Sequence, residues 1–305
     1  MSGEKSNLQK VLEAGHFSVS SEIGPPMSAN ADFVRKHAKE FVGLVDAANV
    51  TDCQTAIVRM SSLAASYLVK EEGVEPVLQM TCRDRNRIAI QSDLLGASAL
   101  GLKNLLILSG DHQRFGNHPQ SKNVFDVDSV QLIKALKHQA ENGEFMSGAK
   151  TKMPSEFFLG ATANPFADPE ELQILRMEKK INAGARYIQT QAIYNIERFK
   201  SWMEKVRERG LHEKAYILAG IVVNKSQKSI EMTSIVPGMD IPEALIKRMQ
   251  NAEDKQAEGV EIALDLIKEI RQIEGISGLH IMAIGWESIV PTIMERAGLL
   301  PRPQL

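Results

Sequence analysis

Eight short, nearly continuous apolar runs, each followed by a stretch of helical periodicity, constrain the fold of this chain more than any other feature. Strands are predicted at residues 17–23, 44–50, 74–81, 104–110, 157–163, 187–192, 215–224 and 279–285. Continuous apolar character is typical of parallel strands that are covered on both faces. Eight such units in 305 residues predict an α/β fold, a single-domain (β/α)8 TIM barrel. A doubly wound open sheet is the alternative, because periodicity alone does not show whether the sheet closes.

The helical stretches between these runs carry their own boundary patterns. The segment 168–182 opens with Asp-Pro, a favourable helix N-terminus, and its apolar residues recur at helical spacing, as they do in 254–273. Residues 1–15 precede the first strand and are predicted to form an N-terminal helical extension. No linker or domain-sized repeat interrupts the series, so residues 1–305 are predicted to form one domain.

Charge and cysteine content narrow the class of protein. A net charge of −2 and a pI near 6.4 give no electrostatic footprint for nucleic acid. The first ten residues lack the apolar core of a signal peptide, and the longest apolar run is far shorter than the roughly 20 residues that span a bilayer. The two cysteines, Cys53 and Cys82, have no CxxC spacing, which fits a reducing compartment. A cytoplasmic protein without membrane or nucleic-acid partners is expected.

Polar side chains occur where each predicted strand ends. Catalytic groups of a (β/α)8 barrel lie at the carboxyl ends of its strands, so these side chains are expected to share one rim. In chain order they are Glu22, Thr51, Asp52, Gln79, Arg83, Ser109, Asp111, Asn164, Gln191, Asn224, Lys225 and Glu287. This concentration of polar groups at one rim favours an enzyme.

Glu22 is the first candidate catalytic residue. It lies inside an apolar stretch, where partial desolvation would suit a carboxyl group to general-acid duty. The alternative is a structural glutamate bonded to backbone N–H groups near the Pro25-Pro26 turn. The long connection that follows Gly110 and reaches about Asp126 is either a functional binding loop or a surface excursion.

Several common site types are absent from the sequence. It contains no HExxH, GxSxG or P-loop motif and no Cys/His cluster with zinc spacing, so no metal is predicted. No GxGxxG follows the first strand, so a Rossmann-type nicotinamide site is unsupported.

A set of longer segments points to one family. The segments SSEIGPP, NVTDCQT, QMTCRDRN, LSGDHQ, GATANPFADP, NAGARYIQTQ and ERAGLLPRP occur in this order between Phe17 and about Leu300. With them the chain resembles the methylenetetrahydrofolate reductases, most closely the short single-domain form of acetogenic and related anaerobic bacteria. The resemblance implies a barrel flavoprotein that uses FAD to reduce 5,10-methylenetetrahydrofolate to 5-methyltetrahydrofolate in one-carbon metabolism.

The resemblance also implies residue roles. Glu22 would protonate N10 of the folate as general acid before hydride transfer from reduced flavin. Asp111 would lie near both flavin and pterin, and it is the second candidate catalytic residue. Substrate contacts are expected from Glu22, Asp111 and Gln191, with Gln191 contacting the pterin. Cofactor contacts are expected from Thr51, Gln79, Ser109, Gly110, Asp111, Asn164 and Lys180, with Lys180 facing the cofactor phosphates.

Two positions depart from the enteric-type enzymes of the family. Gln79 stands where they carry histidine, and Ser109 stands where they carry arginine, which admits FMN as an alternative cofactor. We hypothesise that Arg83, Arg85 and Arg87 replace the missing positive charge near the pyrophosphate or the folate's glutamate tail. The alternative is a solvated helix N-terminus in which Asp84 is the internal partner of these arginines.

The resemblance leaves the electron donor and the assembly open. The donor is expected to be NADH or a partner redox subunit, in a homo- or hetero-oligomer, and the 111–126 loop is a candidate docking surface. Two other functions compete with the reductase. One is a folate-binding methyltransferase barrel without flavin, and the other is a non-catalytic barrel subunit of a larger redox complex.

Overall fold

Eight parallel strands close on themselves in chain order. The computed structural model describes residues 4–236 and 238–305. The strands are β1 (Ser18–Ile23), β2 (Ala47–Val50), β3 (Pro76–Thr81), β4 (Asn104–Leu108), β5 (Phe158–Ala163), β6 (Tyr187–Ala192), β7 (Tyr216–Val222) and β8 (Ile276–Met282). Because β1 pairs in parallel with both β2 and β8, the sheet is a closed barrel. The predicted (β/α)8 barrel is confirmed, and the open sheet is excluded.

Helices cover the outside of the barrel and one of its ends. They are α1 (Asn7–Glu13), α2 (Ala31–Lys39), α3 (Ser62–Glu71), α4 (Arg87–Ala99), α5 (Ser129–Asn142), α6 (Glu170–Ala183), α7 (Ile196–Glu208), α8 (Leu211–Lys214), α9 (Gln227–Ser234), α10 (Glu243–Asn251), α11 (Lys255–Ile270) and α12 (Val290–Arg296). The predicted helices at 168–182 and 254–273 correspond to α6 and α11, each shorter at its start. None of the helices in the described ranges is long and apolar enough to cross a membrane.

The prediction for the last strand was wrong in its position. Strand β8 begins at Ile276 and ends at Met282, three residues earlier at each end than the predicted range 279–285. The cause is Gly278, which lies within the strand instead of in a turn before it. A Cβ atom at Gly278 would lie 2.2 Å from Ser18 Oγ and 2.4 Å from Ser18 O. This glycine therefore permits close approach of β1, which is a recognised reason for glycine inside a strand.

Helix α1 closes the end of the barrel at which the strands begin. Ser6 caps this helix, because its side chain accepts a hydrogen bond from the backbone N–H of Gln9. Leu8 and Leu12 of α1 are buried against the innermost apolar residues of the strands. Those residues are Ala47, Val77, Leu106, Phe158, Tyr187 and Leu218. Candidate catalytic groups are therefore expected at the opposite end, where the strands finish.

A buried ion pair ties the C-terminal tail to the same closed end. Arg302 donates hydrogen bonds to both carboxylate oxygens of Asp46, and also to Phe17 O at 2.8 Å and Leu299 O at 2.9 Å. Asp46 Oδ2 also accepts the backbone N–H of Val19 at 2.7 Å. The side chains of Asp46 and Arg302 are 1% and 7% exposed. Every oxygen of this buried carboxylate is therefore satisfied.

Candidate active site

A cavity of about 800 Å³ opens at the carboxyl ends of the strands. Its lining includes every predicted site residue except Thr51: Glu22, Gln79, Ser109, Gly110, Asp111, Asn164, Lys180 and Gln191. Residues that share only a position at a strand end in the sequence are thus brought to one space, because the barrel closes. Thr51 lies behind the wall, 1% exposed, and its Oγ1 is buried without a hydrogen-bond partner in the described structure.

The floor of the cavity is a chain of buried polar groups that face the barrel axis. Glu22 Oε2 lies 3.7 Å from Nε2 of His280, whose Nδ1 lies 3.0 Å from Ser20 Oγ. Gln189 Nε2 donates to Ser20 Oγ at 3.4 Å. Gln189 and Asn49 also exchange hydrogen bonds through their amides, at 2.7 and 3.2 Å. Glu22 is therefore the outermost member of a polar layer that crosses four strands.

His280 is a site residue that was not predicted from the sequence. It is 4% exposed and stands on β8 with apolar neighbours on both sides along the chain. A histidine flanked in this way is a detectable signal, since a buried polar group needs a partner.

Arg83 connects the loops that follow β2, β3 and β4 through hydrogen bonds. Its guanidinium binds the Asp84 carboxylate in a bidentate manner, at 2.8 and 2.6 Å. It also donates to the backbone oxygens of Asp111 at 3.0 Å and Cys53 at 3.2 Å. Gly110 packs beside it, since a Cβ there would lie 3.1 Å from Arg83 Cβ at a φ of +88°. Asp111 is thus held by its backbone, while its Oδ2 accepts the N–H of Thr55 at 3.1 Å.

For Arg85 and Arg87, the structure favours ion pairing within the loops over the hypothesised role near the pyrophosphate or the folate's glutamate tail. Arg85 binds both carboxylate oxygens of the buried Asp52, and Arg87 binds Asp126. Neither of them lines the cavity. Arg83 does line it, but with Asp84 as its partner. The arginines serve as ion-pair partners within the loops, because each predicted cation has an aspartate within hydrogen-bonding distance.

Positive charge reaches the cavity from helix α6 instead. Gln173, Arg176, Lys179 and Lys180 of this helix all line the cavity, and only Lys180 among them was predicted. Neither Arg176 nor Lys179 has an ion-pair partner within the described ranges of the chain. The spacing of these residues along one helix, at steps of three and four, was the missed signal.

Lys180 lies in an environment that disfavours its positive charge. Its Nζ donates to the backbone oxygen of Thr162 at 2.6 Å. Burial, with the positive charge of Arg176 acting in the same direction, lowers the pKa of Lys180 to about 8. An anion placed beside Lys180 would restore its affinity for the proton. No group of three or more metal-binding side chains occurs among the described residues.

With this geometry in place, comparison with known proteins decides the family. The family model described as "Methylenetetrahydrofolate reductase" matches residues 7–298. The chain belongs to the methylenetetrahydrofolate reductase family. This assignment confirms the resemblance found in the sequence motifs.

Two curated relatives show how much of each chain the family similarity covers. "Methylenetetrahydrofolate reductase 1" of Schizosaccharomyces pombe is 25% identical over 74% of this chain, which spans only 36% of that relative's length. "5,10-methylenetetrahydrofolate reductase" of Pectobacterium carotovorum is 20% identical and matches 94% of this chain and 92% of its own length. The bacterial relative is therefore similar to this chain over nearly its whole extent.

One solved structure shares the fold of this reductase-family chain. It is described as "Uncharacterized protein from Clostridium thermocellum binds two copies of 5-methyl-5,6,7,8-tetrahydrofolic acid". It superposes with a TM-score of 0.69 at 17% identity, and the match covers 97% of this chain and 100% of that one. The likeness supports the barrel architecture.

Proposed function

We propose that this chain reduces 5,10-methylenetetrahydrofolate to 5-methyltetrahydrofolate with the help of a bound flavin. One observation carries the proposal: Glu22, backed by His280, lies in the same cavity as Asp111 and Gln191. A proton donor, a second carboxylate and a free amide converge there, which is the set of groups that a ring-opening reduction of this folate needs. Family membership over residues 7–298 supports the same activity.

In this proposal Glu22 gives its proton to N10 of the folate. The bond between N10 and the bridging carbon then breaks, and N5 becomes an iminium. Hydride addition to the bridging carbon gives the N5-methyl group, so one proton and one hydride enter the folate. His280, 3.7 Å from Glu22 Oε2, is placed to orient the carboxyl group and to help return a proton to it.

Asp111 and Gln191 have complementary roles in holding the pterin. Asp111 is fixed through its backbone oxygen by Arg83, so its carboxylate is positioned at the rim of the cavity. The amide of Gln191 offers one acceptor and two donors, a combination that suits the edge of a pterin ring. Asn164 also lines the cavity and is proposed to contact the cofactor.

Two observations support a bound flavin, which when bound would supply the hydride. Thr51 lies behind the cavity wall, and its Oγ1 is a buried hydroxyl without a hydrogen-bond partner among the described residues, which leaves it available to a cofactor. The cations of α6 suit a diphosphate, because Arg176 and Lys179 are unpaired within the described ranges and Lys180 lacks an anion. We propose FAD, with contacts from Thr51, Gln79, Ser109, Gly110 and Lys180; FMN is the alternative.

The donor of electrons to the flavin is proposed to be NADH or a partner redox subunit. The 111–126 loop is exposed at the mouth of the cavity, with the Phe115 side chain 69% exposed, which makes it the surface we propose for such a partner in a homo- or hetero-oligomer. Flavin bleaching on adding NADH to the isolated chain would identify NADH as sufficient. Bleaching that requires a second protein would identify the partner subunit.

The decisive experiment compares the purified chain with its Glu22→Gln variant. We expect a bound flavin, identified by its absorbance and mass, and folate reduction that falls by about 10²-fold or more in the variant. Flavin content and flavin reduction by an artificial donor should not change, because the proton donor acts on the folate alone. The matched control is Glu295→Gln on α12, outside the cavity, which should keep wild-type turnover. Equal turnover in Glu22→Gln would refute the proposed role of this residue.

A folate-binding barrel without flavin is the second candidate. The solved structure from Clostridium thermocellum is described as binding two copies of a methylated folate, and the cavity here, at about 800 Å³, is large. A colourless purified protein that binds 5-methyltetrahydrofolate without any flavin would favour this candidate, or a non-catalytic subunit, over the reductase.

A further inference from the structure

Strands β6 and β7 lose register with one another at the cavity. Gln189 pairs with Leu218, whereas the next pair in the ladder is Ala192 with Gly220. Three steps along β6 therefore match two steps along β7, which defines a β-bulge with one extra residue on β6. Bulges are rare in parallel sheets and occur often beside active sites, where they redirect a side chain.

The Thr190 hydroxyl holds this bulge together. Thr190 Oγ1 accepts the backbone N–H of Gly220 at 2.9 Å and donates to the backbone oxygen of Gln191 at 2.8 Å. The ladder resumes when the N–H of Ile193 donates to Gly220 O at 2.9 Å. A side chain thus takes the place of a backbone acceptor at the point where the register changes.

Gly220 is required on the opposite strand for a steric reason. A Cβ atom there would lie 2.5 Å from Thr190 O and 3.0 Å from Gln191 O. Both are backbone atoms, which cannot move aside as the end of a flexible side chain could. Glycine at this position lets β7 approach the bulged backbone of β6.

The bulge changes which side chains face the cavity. Residues of a regular strand alternate between its two faces, but Gln189, Thr190 and Gln191 all line the cavity. The Gln189 amide is bound to Asn49 and Ser20. The side chain of Gln191 makes no hydrogen bond within the described residues, so its amide is left for a ligand.

We propose that the Thr190–Gly220 bulge is a specificity device that aims the Gln191 amide at the pterin of a bound folate. Thr190 and Gly220 are then positioning residues, which act through Gln191 without contacting the reacting atoms. The inference rests on the proposed function, because it takes the ligand of Gln191 to be a pterin. An amide whose orientation is fixed before the ligand binds gives a higher affinity for that ligand, because less conformational freedom is lost on binding.

The test is a double-mutant cycle read out by binding of 5-methyltetrahydrofolate to the full chain, with calorimetry as the measurement. Thr190→Val removes the hydroxyl at nearly constant volume, and Thr190→Ser keeps it. We expect Thr190→Val to weaken folate binding by about tenfold, and Thr190→Ser to stay within about twofold. In a Gln191→Ala background, Thr190→Val should have no further effect, since the group that it positions is gone. Bound flavin should be the same in all variants.

Three results would overturn the proposal. If Thr190→Val weakens binding equally in both backgrounds, its role is general structure and not the aim of Gln191. If Gln191→Ala weakens binding but Thr190→Val does not, the bulge proposal fails while the pterin contact stands. If Gln191→Ala has no effect, the pterin contact fails as well. Should Thr190→Val not fold, Thr190→Ala serves in its place, because it leaves room for water to bond to the Gly220 N–H.

Discussion

Replacing Lys180 by methionine should stabilise the cofactor-free protein and weaken its cofactor binding at the same time. Its lowered pKa, about 8 against the ordinary 10.5, means that at neutral pH the folded chain carries a charge that it accommodates poorly. That difference corresponds to about 3 kcal/mol of lost stability. Loss of the hydrogen bond to Thr162 O costs about 1 kcal/mol in return. The net gain for Lys180→Met is therefore about 2 kcal/mol, or about 3 °C in Tm for a chain of this size.

The pH dependence gives the prediction a second test. The penalty is fully present below pH 8, where Lys180 is protonated in both states, and it is relieved as the pH rises from about 8 towards 10.5. The Tm advantage of Lys180→Met should therefore shrink across that range. Calorimetric melts of the flavin-free proteins at pH 7 and pH 10 would measure it.

Lys179→Met is the matched control for charge. Lys179 lies next along α6 and is exposed, so its loss should leave the Tm of the flavin-free protein within about 1 °C of wild type. For Lys180→Met, affinity for the proposed flavin should fall by about tenfold or more, since the proposed charged hydrogen bond to its phosphate would be lost. A variant that melts at or below the wild-type temperature at pH 7 would refute the reasoning about burial.

Other predictions concern the frame of the barrel and the arginines of its loops. Arg302→Met leaves Asp46 buried without its cation, so thermal or urea unfolding should show a loss of about 3–5 kcal/mol; a loss under 1 kcal/mol would contradict the pair's structural role. Gly160→Ala places a Cβ about 2.1 Å from the Tyr187 ring, so we expect a loss of about 1–3 kcal/mol, and an unchanged Tm would contradict this packing. Arg87→Ala should leave flavin and folate affinities unchanged, because Arg87 pairs with Asp126 outside the cavity; a clear loss of either affinity would restore it to the site.

The barrel was predictable because its cause is local and repeated. Each strand buries both faces, so eight apolar runs indicate eight parallel strands, although they do not show that the sheet closes, and Glu22 stands out as a carboxylate inside one of them. The arginine cluster could not be read correctly, since whether a cation is free depends on carboxylates that arrive from other loops. Asp52 and Asp126 are 33 and 39 residues away from the arginines that they bind.

The inner polar layer and the β-bulge could not be predicted from the sequence, for a related reason. His280 faces Glu22 only because the first and last strands meet when the barrel closes. The register change at Thr190 depends on a hydrogen bond to β7 and on the space left by Gly220, neither of which shows in the periodicity of β6. Patterns within one strand report its faces, whereas these features are properties of strand pairs.

Helix α1 limits the route by which a ligand can enter the barrel. Because Leu8 and Leu12 seal the end at which the strands begin, a ligand reaches the Glu22 layer only from the end at which they finish, in the part of the chain that the structure describes. In the proposed reductase, a folate and an electron donor that both reach the inner layer would then enter through the same open end of the cavity. In the proposed reductase, an electron donor that enters the cavity has to leave before the folate can bind there, whereas a donor that works from the rim does not. Helix α1 at one end of the barrel thus leaves entry to the Glu22 layer to the other end, in the described part of the chain.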